Sequence, residues 1–127
     1  TDVTGFGLLG HLGEMIRASR VSAVVEADRV PRLPGVAELV ASGAVPGGTR
    51  RNLAAVARFT DFGVLDEAAQ IVLADAQTSG GLLIAVDGPL EAALLQALDE
   101  EGVRGATIGR VAARSFADGP SGRITVR

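Results

Sequence analysis

The chain has 127 residues, a formal net charge of -3 and no cysteine, and at this length roughly two-thirds of the unfolded surface is buried on folding, so a core forms without staples. The missing cysteines exclude disulfide frameworks, thiolate metal sites and cysteine nucleophiles, and because every basic residue is arginine, lysine bases, Schiff bases and P-loop lysines are excluded too. The scattered arginines form no basic stripe for nucleic acid, and no apolar run reaches the roughly 18 residues of a membrane span, so a cytoplasmic protein with neither partner is expected.

The chain opens TDVTGFGLLGHLGE, where Gly5, Gly7 and Gly10 satisfy the GxGxxG spacing of a dinucleotide-binding turn. Leu8, Leu12, Met15 and Ile16 recur at helical spacing, which predicts a helix from about Phe6 to Ser19. Glu26 and Asp28 follow near the offset of about 20 positions at which a ribose-binding acid belongs. The strand that should deliver the glycines is missing, which makes the pattern weak support for a dinucleotide.

VSAVVEADRV reads as a strand with two fairly apolar faces, and PRLPGVAELVASGAVPGG as a short helix carrying Val36, Leu39 and Val40 that Gly43, Pro46 and the Gly47-Gly48 pair close into a turn. Thr49 is expected to cap the next helix, RRNLAAVARF, and VLDEAAQIVLAD forms another, with Leu65, Ala68, Ile71 and Val72 together. TSGG breaks that helix. LLIAV then reads as a central strand buried on both faces.

Gly88-Pro89 starts a helix with Leu90, Ala93, Leu94, Ala97 and Leu98 on one stripe, ended by Gly102. ATIGRVAAR is a strand irregular at Gly109, and GRITVR is the last strand. The unit from Leu82 to Val111 is expected to be strand, helix, strand with a right-handed crossover, and the closing strand antiparallel. The fold class is therefore α+β, with α/β-type layers: a mixed, largely antiparallel sheet with packed helices.

Several residues are candidates for a site. Asp2 and Thr4 precede a helix N-terminus whose glycines admit a ligand to the backbone, and the free N–H groups there suit an anion. Thr4 and Gly5 could serve that role, or Thr4 could simply cap the helix. Asp2 lies before the cap and is free to hold a magnesium ion. His11, the only histidine, lies on the apolar face and is expected to be a hydrogen-bonded packing residue. QTSGG offers Thr78, Ser79 and Gly80 as an anion-binding nest, or as a turn between a helix and a strand. In GGTRRN, Thr49 and Asn52 could hydrogen-bond a ligand and Arg50 and Arg51 could reach a phosphate, although exposed arginines in a first helical turn are usually only solvated. No nucleophile, base and orienter come together. Such residues suit one half of a phosphoryl-transfer site whose remainder lies elsewhere.

TDVTGFGLLGHL, GGTRRN and DAQTSGGLLIAV, in this order and over essentially the whole chain, resemble the C-terminal domain of the selenophosphate synthetase (selenide, water dikinase) family. That family belongs with aminoimidazole ribonucleotide synthetase, thiamine monophosphate kinase and a hydrogenase maturation protein. The resemblance implies one C-terminal domain over residues 1–127 and an enzyme that makes selenophosphate, AMP and phosphate from selenide, ATP and water with magnesium. It implies that Asp2 is a metal ligand. It also implies an N-terminal ATP-binding domain that carries the remaining site residues and most of a homodimer interface, and is absent from this sequence. Family members commonly carry proline where this chain has Ala76, which loosens the turn slightly. The alternatives are a non-catalytic binding or assembly module, or a domain of a related ATP-dependent enzyme such as the hydrogenase maturation protein. Without its partner domain, the first helix is expected to leave Leu8, Leu9 and Leu12 short of a packing surface.

Overall fold

The structure is a computed structural model that describes residues 1–127. Helix α1 runs Gly7–Ser19 and buries Leu9, Leu12 and Ile16, the face that its sequence spacing defines. Its end is set by Arg20 in the left-handed region, with the Arg20 and Val21 N–H groups returning to carbonyls of the last turn. Strand β1 (Ser22–Val25) follows and is buried along its whole length, as two apolar faces require. Helices α2 (Val36–Ala41), α3 (Gly47–Val56) and α4 (Glu67–Leu73) come next, with strand β2 (Thr60–Asp61) between the last two.

Asp66 caps α4 by accepting from the Ala69 N–H at 2.8 Å. Thr49 does not cap α3. The helix begins at Gly47 after Pro46, so Gly47 and Gly48 are helical and Thr49 lies inside the first turn, where it is fully buried.

The sheet has the order β2-β4-β1-β3, with β3 at Gly109–Ala112 and β4 at Ile124–Val126. It is mixed and covered by helices, as the α+β reading expects. It is less antiparallel than expected: the closing strand β4 is parallel to both β1 and β2 and only β1 with β3 is antiparallel, because β4 inserts between β2 and β1 instead of pairing with β3. One core unites α1, α3, α4 and the sheet through Leu9, Ile16, Val25, Val56, Leu73 and Ile124. Burying a side chain such as Leu9 contributes about 1.5–3 kcal/mol. Leu9 and Leu12 thus have partners within the chain, contrary to the expectation that they lack them.

The LLIAV run is not a central strand. Only Leu82 makes a β-bridge, to Asp2, and Leu82, Ile84 and Val86 are exposed. No strand, helix, strand unit forms over 82–111, because an apolar run identifies a surface to be covered without identifying the cover. The following helix α5 (Glu91–Glu100) has no fully buried residue. It packs on its own outgoing chain: the Val103 N–H donates to the Leu98 carbonyl at 2.8 Å, and a side chain at Gly105 would meet Leu95 and Leu98.

Candidate functional site

The three motifs meet at one end of α1. Residues 1–3 lie antiparallel to 81–83: the Thr1 ammonium donates to the Leu83 carbonyl at 2.9 Å, the Leu83 N–H to the Thr1 carbonyl at 2.8 Å, and the Val3 N–H to the Gly81 carbonyl at 2.9 Å. A Cβ at Gly80 would collide with the Val3 carbonyl oxygen. The glycine therefore permits the two segments to touch. One residue further, the Gln77 N–H donates to the Thr4 carbonyl at 3.1 Å.

Helix α3 clamps this pair of segments from behind. The Asn52 Nδ2 donates to the Gly5 carbonyl at 2.8 Å and to the Ala74 carbonyl at 3.2 Å. The Thr49 hydroxyl donates to the Asp75 carboxylate at 2.5 Å and accepts from the Ala76 N–H at 3.3 Å. Thr49 and Asn52 are thus brought to the other two motifs and spend their polar groups on the protein itself. Arg50 and Arg51 point to solvent.

The glycines of the opening motif do local work as well. Gly7 has φ of +69° and a Cβ there would lie 2.6 Å from the Asp75 carbonyl oxygen and 2.7 Å from that of Ala74. At Gly10 a Cβ would come 2.8 Å from the Cβ of Phe6. The segment that delivers them is the short pairing of 1–3 with 81–83, not a central parallel strand, and Glu26 faces Arg110 at 3.8 Å. Gly7 is explained by packing of α1 on residues 74–75 and Gly10 by its contact with Phe6, and a dinucleotide turn is not formed.

The open side of this junction carries the remaining candidates. Val3 is buried, whereas Asp2, Thr4 and Gly5 are exposed, as are Thr78, Ser79 and Gly80. Alternation along the extended residues 1–3 directs Val3 inward and its neighbours outward. No position at Gly5 is closed to a side chain: a Cβ there meets nothing within 4 Å. Thr4 does not cap α1, whose N-cap is Phe6 without a side-chain bond. Its Oγ1 lies 3.0 Å from His11 Nε2 instead. The expected hydrogen-bonded role of His11 in the apolar face is met, since it is 8% exposed.

Asp2 is a hard oxygen donor, which suits magnesium in kind but not in number. No group of three or more His, Asp or Glu side chains converges anywhere in the chain, so these residues alone form no metal centre. The sequence singled out the polar residues of all three motifs but missed Asp75, the carboxylate that anchors Thr49. Its position at the end of an apolar helix, directly before AQTSGG, was the available signal.

The chain matches the model of a known family, AIR synthase related protein, C-terminal domain, over residues 1–118. The chain belongs to that family. Among individual proteins it is similar to the selenide, water dikinase of Bordetella bronchiseptica, at 50% identity over 118 residues, covering 90% of this chain and 33% of that protein. The selenide, water dikinase of Myxococcus xanthus is 48% identical over 114 residues, with 89% and 32% covered, and that of Cronobacter sakazakii 45% identical over 111 residues, with 87% and 31% covered. The chain spans about a third of the length of these relatives. No helix is long and apolar enough to cross a membrane.

Proposed function

We propose that this chain is the C-terminal domain of a selenophosphate synthetase, which converts selenide, ATP and water into selenophosphate, AMP and phosphate. The supporting observation is the hydrogen-bonded junction of TDVTGFG, GGTRRN and DAQTSGG, at which Asp2, Thr4 and Ser79 are exposed. Relatives named selenide, water dikinase resemble it across nine-tenths of its length.

In this reading the chain supplies surface and positioning. Backbone N–H groups near Gly5 and in the Thr78–Gly80 turn approach the phosphates of ATP, and Asp2 contributes one oxygen ligand to the accompanying magnesium. Thr49 and Asn52 serve indirectly, by holding the two ligand-facing segments in register. The other ligands and the reacting groups come from an N-terminal ATP-binding domain of the same enzyme, and the whole protein is a homodimer in the cytoplasm. Phosphorus NMR of the full-length protein with ATP, selenide and magnesium tests the reaction. Selenophosphate and AMP are expected, and formation of ADP alone reassigns the domain to a related ATP-dependent enzyme.

A further inference from the structure

The lone histidine of the chain lies in the second turn of α1, with a hydroxyl in hydrogen-bond reach of one ring nitrogen and a carboxylate near the other. Nε2 is 3.0 Å from Thr4 Oγ1, and Nδ1 is 3.6 Å from Glu14 Oε2 on the same helix. The Phe6 ring lies over it, with centroids 5.7 Å apart and planes inclined by 43°. A buried imidazole held in this way is confined to one orientation, and its contact with Thr4 reaches out of the core to the exposed side that bears Asp2.

We propose that His11 is a positioning residue that fixes the Thr4 hydroxyl as a hydrogen-bond acceptor toward the ligand beside Asp2; this rests on the function proposed above. A neutral imidazole has one donor and one acceptor nitrogen. The Glu14 carboxylate next to Nδ1 favours the proton on that nitrogen, so Nε2 is left with its lone pair. The Thr4 O–H must then donate to Nε2. Its proton is spent, and what the Thr4 oxygen presents to solvent is lone pairs alone. A group that meets Thr4 therefore has to be a donor, such as a water bound to a cation, while bare phosphate oxygens must find their donors in the backbone N–H groups nearby. His11 thereby sorts two kinds of ligand atom along a loop only a few residues long.

A packing residue and a positioning residue differ in what rescues them. In the full-length protein, His11→Leu keeps the bulk and loses the acceptor, whereas His11→Gln places a polar group near the position of Nε2. His11→Leu is expected to lower kcat/KM for ATP about tenfold, the scale of one lost hydrogen bond, with His11→Gln recovering most of it. In a Thr4→Val background, His11→Leu should add almost nothing. Long-range proton–nitrogen NMR of the ring, assigned by the signal lost in His11→Gln, should show the Nδ1-protonated tautomer, with Nε2 shifting in Thr4→Val. Either the Nε2-protonated tautomer, or equal activity of His11→Leu and the parent, or multiplying losses in the double variant, overturns the proposal. A parent protein without selenide-dependent turnover refutes the functional reading instead, and the ring tautomer still decides the hydrogen bond.

Discussion

The hydroxyl of Thr49, fully buried in α3, donates to the carboxylate of Asp75 at 2.5 Å, at the point where α4 gives way to the DAQTSGG segment. A threonine and an aspartate separated by 26 positions thus join two motifs that the sequence shows only as separate polar islands. Because the Ala76 N–H also reaches Thr49 Oγ1, one hydroxyl fixes both a side chain and the backbone that follows it. Thr49→Val leaves the carboxylate short of a donor and the Ala76 N–H short of an acceptor. The expected loss is about 1–3 kcal/mol, read as a lower denaturant midpoint, and an unchanged midpoint would show that the pair contributes nothing net.

Gly5 and Gly7 should part company on substitution. A methyl group at Gly7 strikes the Ala74 and Asp75 carbonyls and must adopt φ of +69°, so Gly7→Ala should cost at least ~2 kcal/mol. Gly5→Ala meets open space and should leave thermal unfolding nearly unchanged. If Gly5→Ala nonetheless weakens ATP binding in the full-length protein, the space above Gly5 is ligand space. Equal destabilisation by both variants would remove this distinction.

How far the sequence could be read depended on whether the deciding partner was local. α1, β1 and the C-terminal helix were legible because their apolar spacing and their terminators lie within a few residues. The two-residue β2 carries too little pattern to be seen, and the run 82–86 carries a pattern that does not name its partner. The three motifs could be picked out by residue type, but the clamp by Asn52 and the anchoring by Asp75 are long-range contacts. By its position Thr4 reads as a cap or a ligand contact, and its bond to His11 is neither; the seven-residue separation lies beyond local capping rules.

Asp118 links the last loop to β1. Its carboxylate accepts from the Ser115 N–H at 2.6 Å and from the Ser22 hydroxyl at 2.9 Å. The Ser115 backbone bond, followed by the Ser22 bond, holds its carboxyl below the ordinary value of 3.8. A carboxylate lowered on folding stabilises the fold above the unfolded value and ceases to do so as pH falls through the folded one. Amide NMR should therefore show Ser115 losing its anchored signal only below pH 3.8, with Asp118→Asn weakening it at neutral pH. A transition near pH 6 would contradict the assignment.

Magnesium-ATP should bind this chain weakly by itself. Asp2 offers one carboxylate where magnesium takes six oxygen ligands, and no other acid converges on it. Titration calorimetry of the 127-residue chain is expected to give a dissociation constant no tighter than about 1 mM. Micromolar affinity would mean that this chain carries far more of the site than its single carboxylate supplies.

The most direct measurement is the product mixture formed by the full-length protein with Asp2→Asn beside the parent, followed by phosphorus NMR with ATP, selenide and magnesium. Asp2 is exposed and its side chain makes no hydrogen bond within the chain, so the substitution should leave the fold intact. Selenophosphate from the parent and its loss in the folded variant is the predicted result. Undiminished selenophosphate from the variant would contradict the placement of the site on the Asp2 face of this domain.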